Sequence, residues 1–477
     1  MTISEIDLNK LFGIKGVSCD SRKVKPGYAF VAISGFKNDG NQYIEEAIKN
    51  GAKIVFTDKI LKDTKRFNTP VIHVNDSRSF ISKLASYYYH NPSNKLKIIG
   101  ITGTNGKTTT SHMIYNLLNS NNNKAGLIGT VKVDTGLKIK NGNLTTPPPV
   151  LLQKYFSEML ENKLNYCSME VSSHGIELKR IKTTKFAVKI GTNISEDHYD
   201  LHQSFEDYIN VKSSYLSNND LNTLVIVNND DQYLSFIKKN KLQLNYGIDK
   251  NTDIMAKNIK YNIKETEFIY SLNKYPGNFK KEKFKIVTPL KGKHNIYNSL
   301  AAITTGLHFG LDRNIIQDFF SSYHGVWRRL EIIYNKEFTI IDDCAHNPGS
   351  YEAVFKSIIN LPYKKIHILN SLRGNRGIRI NLINAEILSK FLNEKNIEYN
   401  LITSNCIDLV SEDDIVSKAE EKAFINTLKN NEIKFRHYNS LNTGLKTVVN
   451  EVKEDELILL LGPHAMDHAA EMILELL

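Results

Sequence analysis

Between Thr102 and Thr109 the chain reads Thr-Gly-Thr-Asn-Gly-Lys-Thr-Thr, a stretch with the residue types needed to hold a nucleoside triphosphate. Backbone N–H groups in such a turn, backed by the N-terminus of a helix, form a cradle for phosphate oxygens. Lys107 would set its charge on the β- and γ-phosphates, and the Thr108 hydroxyl would hold Mg2+. The strict spacing of the phosphate-loop motif is not met, because position 101 is Ile and Gly100 lies one residue early. An ordinary strand-to-helix turn can also contain Gly-Lys-Thr. Here the apolar run Ile98 to Thr102 predicts a strand before the turn, and Met113, Ile114, Leu117 and Leu118 predict the buried stripe of a helix after it. That context favours the triphosphate site.

The elements around this loop alternate. Residues 1 to about 95 mix short apolar runs (28–33, 53–57, 71–74) with a helical pattern at 44–50, as expected of a small α/β domain. His90-Asn91-Pro92-Ser93 is a breaker cluster and a natural linker. Further strands are predicted at 166–171, 187–192 and 223–227, with helices between them, which implies a mostly parallel sheet covered on both faces. Residues 250–290 are strand-like without helices, as an inserted antiparallel patch would be. A third alternation starts near Arg329, with strands expected at 338–341, 365–370, 398–403 and 456–461. The expectation is an α/β protein of three domains, 1–95, 96–325 and 326–477.

Length and composition agree. The 477 residues, 41% apolar and 24% charged, suit soluble domains with real cores and exclude a disordered or fibrous chain. Cys19, Cys167, Cys344 and Cys406 are far apart, which argues for a reducing cytoplasm over a disulfide framework. The N-terminal stretch carries Glu5 and Asp7 and lacks a signal peptide's apolar region, and no run is long enough to span a membrane. The net charge of +11 admits a nucleic-acid partner, a polyanionic substrate, or a merely Lys- and Asn-rich composition. Basic residues are spread along the chain, with no aromatic-interleaved basic run of the kind RNA binders use.

The form Thr-Gly-Thr-Asn-Gly-Lys-Thr-Thr-Thr resembles the loop of the Mur ligases, ATP-dependent ligases that build the peptide of bacterial cell-wall precursors. From Asp20 to about Gly377 the chain is similar to the MurE type, UDP-N-acetylmuramoyl-tripeptide synthetase. Asp20-Ser21-Arg22-Lys23, the run 30–35 and Asp39-Gly40 resemble its uridine-binding domain, which makes Ser21 the UDP contact; Asn41 stands where the family usually has His. Thr145-Thr146-Pro147 resembles the stretch that contacts the muramoyl-peptide. Met169-Glu170-Val171-Ser172-Ser173-His174 resembles the next signature, in which Ser172 and Arg180 would grip substrate, although Leu178 replaces a common glutamine. The segment from Thr192 through His198 to Tyr208 and Lys212 resembles the metal and carbamate region. Gly292, Asn295 and Asn298 resemble an adenine-recognising stretch; Arg329 and Glu331, then Asp343 with Ala345-His346-Asn347-Pro348, resemble the start and the ATP-facing turn of the C-terminal domain. A lone Ser-Ser-His is noise and a lone Thr-Thr-Pro is usually a turn; the order and spacing of these motifs over some 350 residues carry the resemblance.

The resemblance implies ligation through an acyl phosphate, a reaction in which the enzyme mainly positions the transferring phosphoryl group and stabilises its charge. ATP would be bound by Gly103, Thr104, Asn105, Gly106, Lys107, Thr108, Thr109, Asn295, Arg329 and Asp343, and Mg2+ by Thr108, Glu170, His198 and Lys212. Glu170, at a strand's C-terminal end, is a hard oxygen ligand suited to Mg2+. Imidazole prefers softer metals, so only the resemblance lifts His198 above a structural histidine. Lys212 would be carbamylated by CO2 and become carboxylate-like; without the resemblance it reads as a surface lysine on a helix over 205–216.

The C-terminal third departs from the pattern. Diaminopimelate-adding members carry Asp-Asn-Pro-Arg, whereas 403–408 here reads Thr-Ser-Asn-Cys-Ile-Asp, with Asp408 where the arginine would be. The family's Gly-Lys-Gly-His-Glu is replaced by Leu461-Gly462-Pro463-His464-Ala465-Met466-Asp467, and Val326-Trp327-Arg328 replaces a small Pro-Gly pair. Gly374-Asn375-Arg376-Gly377 remains as a binding loop, and Arg379 is a candidate for the acceptor carboxylate. The pattern argues against diaminopimelate. The expected protein is a cytoplasmic, monomeric ligase of UDP-N-acetylmuramoyl-L-alanyl-D-glutamate and an amino acid, with no nucleic-acid or membrane partner. The alternatives are a paralogue acting on another carboxylate, such as a folate, and a phosphate-loop protein that binds nucleic acid.

Overall fold

The computed structural model describes residues 13–35, 38–61, 67–142, 144–196, 202–217, 222–237, 242–262, 265–273, 281–359, 361–375, 377–393, 397–410 and 414–477. They divide into two compact units: one of residues 1–102, 122–189 and 222–224, the other of residues 103–121, 190–221 and 225–477.

The first unit begins with a parallel sheet in the order Gly16–Ser18, Tyr28–Ala32, Ala52–Thr57, Val71–His73. Ala29 and Val31 face the helix Ser77–Tyr88 through Phe80, Ile81 and Leu84, while Phe30 and Ala32 face the helix Ile44–Lys49. This is the period-2 alternation of a strand buried on both faces. Asp76 caps the longer helix, its carboxylate accepting from the N–H groups of Arg78 and Ser79 at 3.1 Å each. Asn41, the departure from the family's histidine, accepts from Thr57 Oγ1 and donates to Asp39 Oδ1 at 2.7 Å, tying the turn to the sheet. The same unit holds Lys97–Thr102, Tyr166–Glu170 and Ala125–Ile128 as parallel neighbours, extended antiparallel by Lys132–Asp134 and Ile139–Asn141.

In the second unit the helix Lys107–Ser120 buries Met113, Ile114, Leu117 and Leu118 completely or nearly so, on the stripe expected from their spacing. Leu224–Asn228, Gln243–Gly247 and Ile254–Tyr261 pair in parallel; Thr266–Leu272 and Glu282–Thr288 then add antiparallel, the patch expected at 250–290.

The C-terminal sheet runs in the order Glu331–Asn335, Thr339–Asp343, Leu457–Leu461, Lys365–Ser371, Glu398–Ser404, Phe435–Tyr438, with only its first strand antiparallel. The helices Pro348–Ile358, Ile378–Asn393 and Lys418–Asn430 pack on one face, and Leu441–Glu451 with Ala469–Leu474 on the other. Leu457–Leu461 is apolar throughout and fully buried, as a central parallel strand should be. The fold is α/β with mainly parallel sheets.

Candidate active site

The phosphate loop follows the strand Lys97–Thr102 and ends at Gly106, the residue before the helix Lys107–Ser120. Gly106 has a φ of +85°, and a Cβ there would lie 2.7 Å from Asn298 Oδ1; at Gly103, φ +148°, it would lie 1.9 Å from Thr192 Oγ1. Both positions require glycine for space and for conformation. Two lysines converge on the loop. Lys107 Nζ donates to the carbonyls of Gly103 (2.7 Å) and Thr104 (2.8 Å), and Lys212 Nζ donates to Gly103 at 2.9 Å. Lys212 is 1% exposed, and its Nζ lies 4.7 Å from the centroid of the Tyr208 ring, whose hydroxyl is 3.0 Å from Thr104 Oγ1. The surface lysine that composition alone suggests is a buried one beside the phosphate loop.

The segment after Gly191 lies along the same loop. Asn193 Oδ1 accepts from Asn105 N (2.9 Å), and Thr192 Oγ1 and Asn193 Nδ2 donate to Asn105 O at 2.6 and 3.0 Å. His198 lies outside the described residues, as do Asp197, Tyr199 and Asp200. From the far end of the sequence, Asn347 exchanges two side-chain amide hydrogen bonds with Asn105, each 3.1 Å. Asn347 also caps the helix Pro348–Ile358 through a capping box, which fixes its amide in place. Asn298 accepts from Thr110 Oγ1 at 3.1 Å on the loop's helix, and Asn295 donates to Lys291 O at 2.9 Å. Asp343 is buried and accepts from Leu330 N at 2.8 Å. Burial pushes its carboxyl up to about 6, with Arg329 pulling the other way. Thus Lys107, Lys212 and Asn347 meet around residues 103–106, and Asn298 joins them on the first turn of the helix.

The substrate candidates of the first unit form a network of their own. Glu170, 1% exposed, accepts from Thr130 N at 2.8 Å and from Thr130 Oγ1 at 3.2 Å. Thr130 Oγ1 is 3.0 Å from Thr145 Oγ1. Thr146 Oγ1 donates to Glu170 O (3.0 Å) and accepts from Ser172 N (2.9 Å), while Arg180 Nη1 donates to Thr146 O at 2.6 Å. Burial, with Arg78 nearby, lowers the Arg180 pKa. Ser21 stands apart from them, at the start of the short 3-10 helix Ser21–Lys23 that follows the first strand, and donates to Glu46 Oε2 at 2.7 Å.

The acceptor candidates divide. Arg379, 67% exposed, pairs with Glu196 at 2.9 Å, and Arg376 lies outside the described residues. Asp408 accepts from Ser440 Oγ (2.9 Å) and Leu441 N (3.3 Å), at the start of the helix Leu441–Glu451. It therefore has a capping task of its own. Arg373 joins these candidates only in the folded chain: it follows the strand Lys365–Ser371, is 6% exposed and has Asp414 at 3.8 Å. The Cys344 thiol is a second such group: burial would raise it, but Arg329, Arg328, His464 and Arg373 together bring it down. No local pattern marks either residue. Among the described residues no three His, Cys, Asp or Glu side chains form a metal cluster, and no helix is long and apolar enough to cross a membrane.

Comparison with known proteins gives three family matches in chain order: Mur ligase family, catalytic domain, over residues 13–89; Mur ligase middle domain over 101–306; and Mur ligase, glutamate ligase domain, over 328–464. The chain is 32% identical over 461 residues to UDP-N-acetylmuramoyl-L-alanyl-D-glutamate--2,6-diaminopimelate ligase of Caldanaerobacter subterraneus subsp. tengcongensis, covering 96% of this chain and 91% of that one. It is 38% identical over 350 residues to the ligase of the same name from Clostridium botulinum, covering 72% and 70%. The crystal structure of MurF ligase from Thermotoga maritima in complex with ADP is similar in fold, with a TM-score of 0.64 at 20% identity over 97% of this chain and 96% of that one.

Proposed function

This chain belongs to the Mur ligase family of ATP-dependent ligases, and from that premise we propose that it joins an amino acid to the D-glutamyl carboxylate of UDP-N-acetylmuramoyl-L-alanyl-D-glutamate. The observation that carries this reading is the assembly at residues 103–106. Lys107, at the loop's own end, is met there by Lys212 and by the amide of Asn347, both brought from distant parts of the sequence.

ATP transfers its γ-phosphoryl group to the carboxylate, and the acceptor amine then displaces phosphate from the acyl phosphate. Lys107 would swing from the carbonyls of Gly103 and Thr104 to the β- and γ-phosphates, and the loop's N–H groups would take the remaining oxygens. Mg2+, when bound, neutralises phosphate charge. The hydroxyl of Thr108 and, by the resemblance, the carboxylate of Glu170 are hard oxygen donors of the kind it takes. We assign Lys212 as the site of a carbamate, on the strength of its burial beside the loop. Thr146, Ser172 and Arg180 would hold the peptide end of the nucleotide substrate, and Ser21 its uridine end.

The acceptor we assign as an amino acid with a distal ammonium or an apolar end, such as lysine, because Asp408 stands where the resemblance places a cation. Diaminopimelate is the second reading. The relatives carry its name, and the buried Arg373 could supply the fork that its distal carboxylate requires. Phosphate release is measured with ATP, Mg2+, the nucleotide substrate and single amino acids. Amino-acid-dependent turnover is expected, and its absence across the whole set would shift the assignment to a paralogue acting on another carboxylate.

A further inference from the structure

We propose that Arg328 is a positioning residue for the amino-acid acceptor, holding the loop 462–467 at one lip of a crevice in the C-terminal sheet. The proposal rests on the ligase reading above. In that sheet the chain runs outward through Lys365–Ser371, Glu398–Ser404 and Phe435–Tyr438, then returns to insert Leu457–Leu461 beside its second strand. After Ser371 it turns toward the face covered by Ile378–Asn393; after Leu461 it turns toward the opposite face, covered by Ala469–Leu474. Ligands of open α/β sheets bind where neighbouring strands send their chains to opposite faces in this way. Arg373 forms one lip of the crevice, and residues 462–467 form the other. At the base of the crevice the two strand ends meet, since a Cβ on Gly462 would lie 2.6 Å from Ser371 Cβ.

Arg328 is fully buried beneath the second lip. Its Nε faces both oxygens of Asp342, at 3.2 and 3.1 Å, in the strand Thr339–Asp343. Its other nitrogens all act on the loop: Nη2 donates to Gly462 O (2.6 Å), and Nη1 donates to Pro463 O (3.1 Å) and pairs with the Asp467 carboxylate. Asp467 in turn holds His464 Nδ1 at 3.2 Å, with the His464 side chain 54% exposed. One guanidinium therefore sets the loop's backbone, its half-buried acid and, through that acid, its outward-facing imidazole. Only a planar fork of five donors can do this, which a lysine cannot copy. The backbone of Arg328 also takes a φ of +53°, a conformation that persists where the surroundings over-determine it and that gathers at functional sites. A residue that merely filled this space could be apolar, because a buried ion pair by itself is weak evidence for stability.

The test uses the full-length protein and compares Arg328→Lys, Arg328→Met and Asp467→Asn. Initial rates are measured against ATP, the nucleotide substrate and the acceptor in turn, together with positional isotope exchange of ATP in the absence of acceptor. Misplacing the loop should raise KM for the acceptor about ten-fold or more. The KM values for ATP and the nucleotide substrate, and the exchange rate, should stay at the wild-type level. Asp467→Asn, at the loop's solvent side, keeps the test sound if Arg328→Met does not fold. If all three KM values shift together, or none shifts, the positioning role is overturned while the ligase reading stands. If the wild-type protein shows no acceptor-dependent turnover, both are overturned.

Discussion

Lys107 and Lys212 approach the same carbonyl, that of Gly103, yet they are expected to fail in different ways when removed. Lys107→Ala deletes a mobile point charge from a preorganised site, where such a contact is typically worth about 3–4 kcal/mol in the transition state. Turnover should fall by two to three orders of magnitude, with the melting temperature little changed; near-normal turnover would remove the phosphate-loop assignment. Lys212 is buried, and ¹³C-bicarbonate NMR should show a carbamate resonance in the wild-type protein that is missing from Lys212→Ala. A fully active Lys212→Ala would contradict the carbamate. Asp408→Arg separates two roles of one carboxylate. If the acid only caps the helix Leu441–Glu451, the variant should lose about 1 kcal/mol of stability and leave the acceptor KM alone. If it also faces the acceptor's distal ammonium, use of lysine should weaken as well.

At the level of elements, the helix Ser77–Tyr88 has a titratable start. Burial would raise the Asp76 carboxyl, but Lys179 and Ser79 hold it at about 2, against an ordinary value of 3.8. A carboxyl depressed in the folded state contributes stability that is present above the unfolded value and is lost as pH falls through the folded one. Wild-type protein should therefore lose its advantage over Asp76→Asn between about pH 4 and pH 2, since asparagine keeps the cap but not the charge. Thermal midpoints of the two proteins across that window check this, and a gap at pH 2 as large as the gap above pH 4 would contradict it. The same element view explains Asn41. In a turn held by Asp39 and Thr57 its amide accepts from Thr57 Oγ1 and donates to Asp39 Oδ1, so the asparagine ties the turn to the sheet without an imidazole.

For the molecule as a whole, a ligand that binds only the folded state stabilises it by mass action, about 2.7 kcal/mol at a hundred times its Kd. Mg2+-ATP should raise the melting temperature of the wild-type protein, and Lys107→Ala should reduce that rise far more than it changes the midpoint without nucleotide. Acceptor choice is likewise a property of the assembled protein. Initial rates with lysine and with meso-diaminopimelate, at equal concentration, should favour lysine. A clear preference for diaminopimelate would transfer the recognition of the distal carboxylate to Arg373, and Arg373→Met should then abolish that preference.

Much of this protein was legible in the order of its residues. The strand–turn–helix around Lys107, the buried stripe of Met113 to Leu118 and the antiparallel patch near 270 all follow from periodicity and turn chemistry, which neighbouring residues carry among themselves. The family resemblance followed from short motifs in a characteristic order. Local order says nothing, however, about which distant groups will share a space. Asn105 and Asn347 are 242 positions apart, and only the packing of sheets and helices makes their amides partners. The same packing buries Lys212, occupies Asp408 with a helix terminus and pairs Arg379 with Glu196. Trp327-Arg328 and the run 461–467 look in the sequence like two unrelated departures from a pattern. The tertiary structure joins them, because a buried guanidinium must satisfy every N–H it carries, and the carbonyls and carboxylates that do so come from wherever the fold brings them.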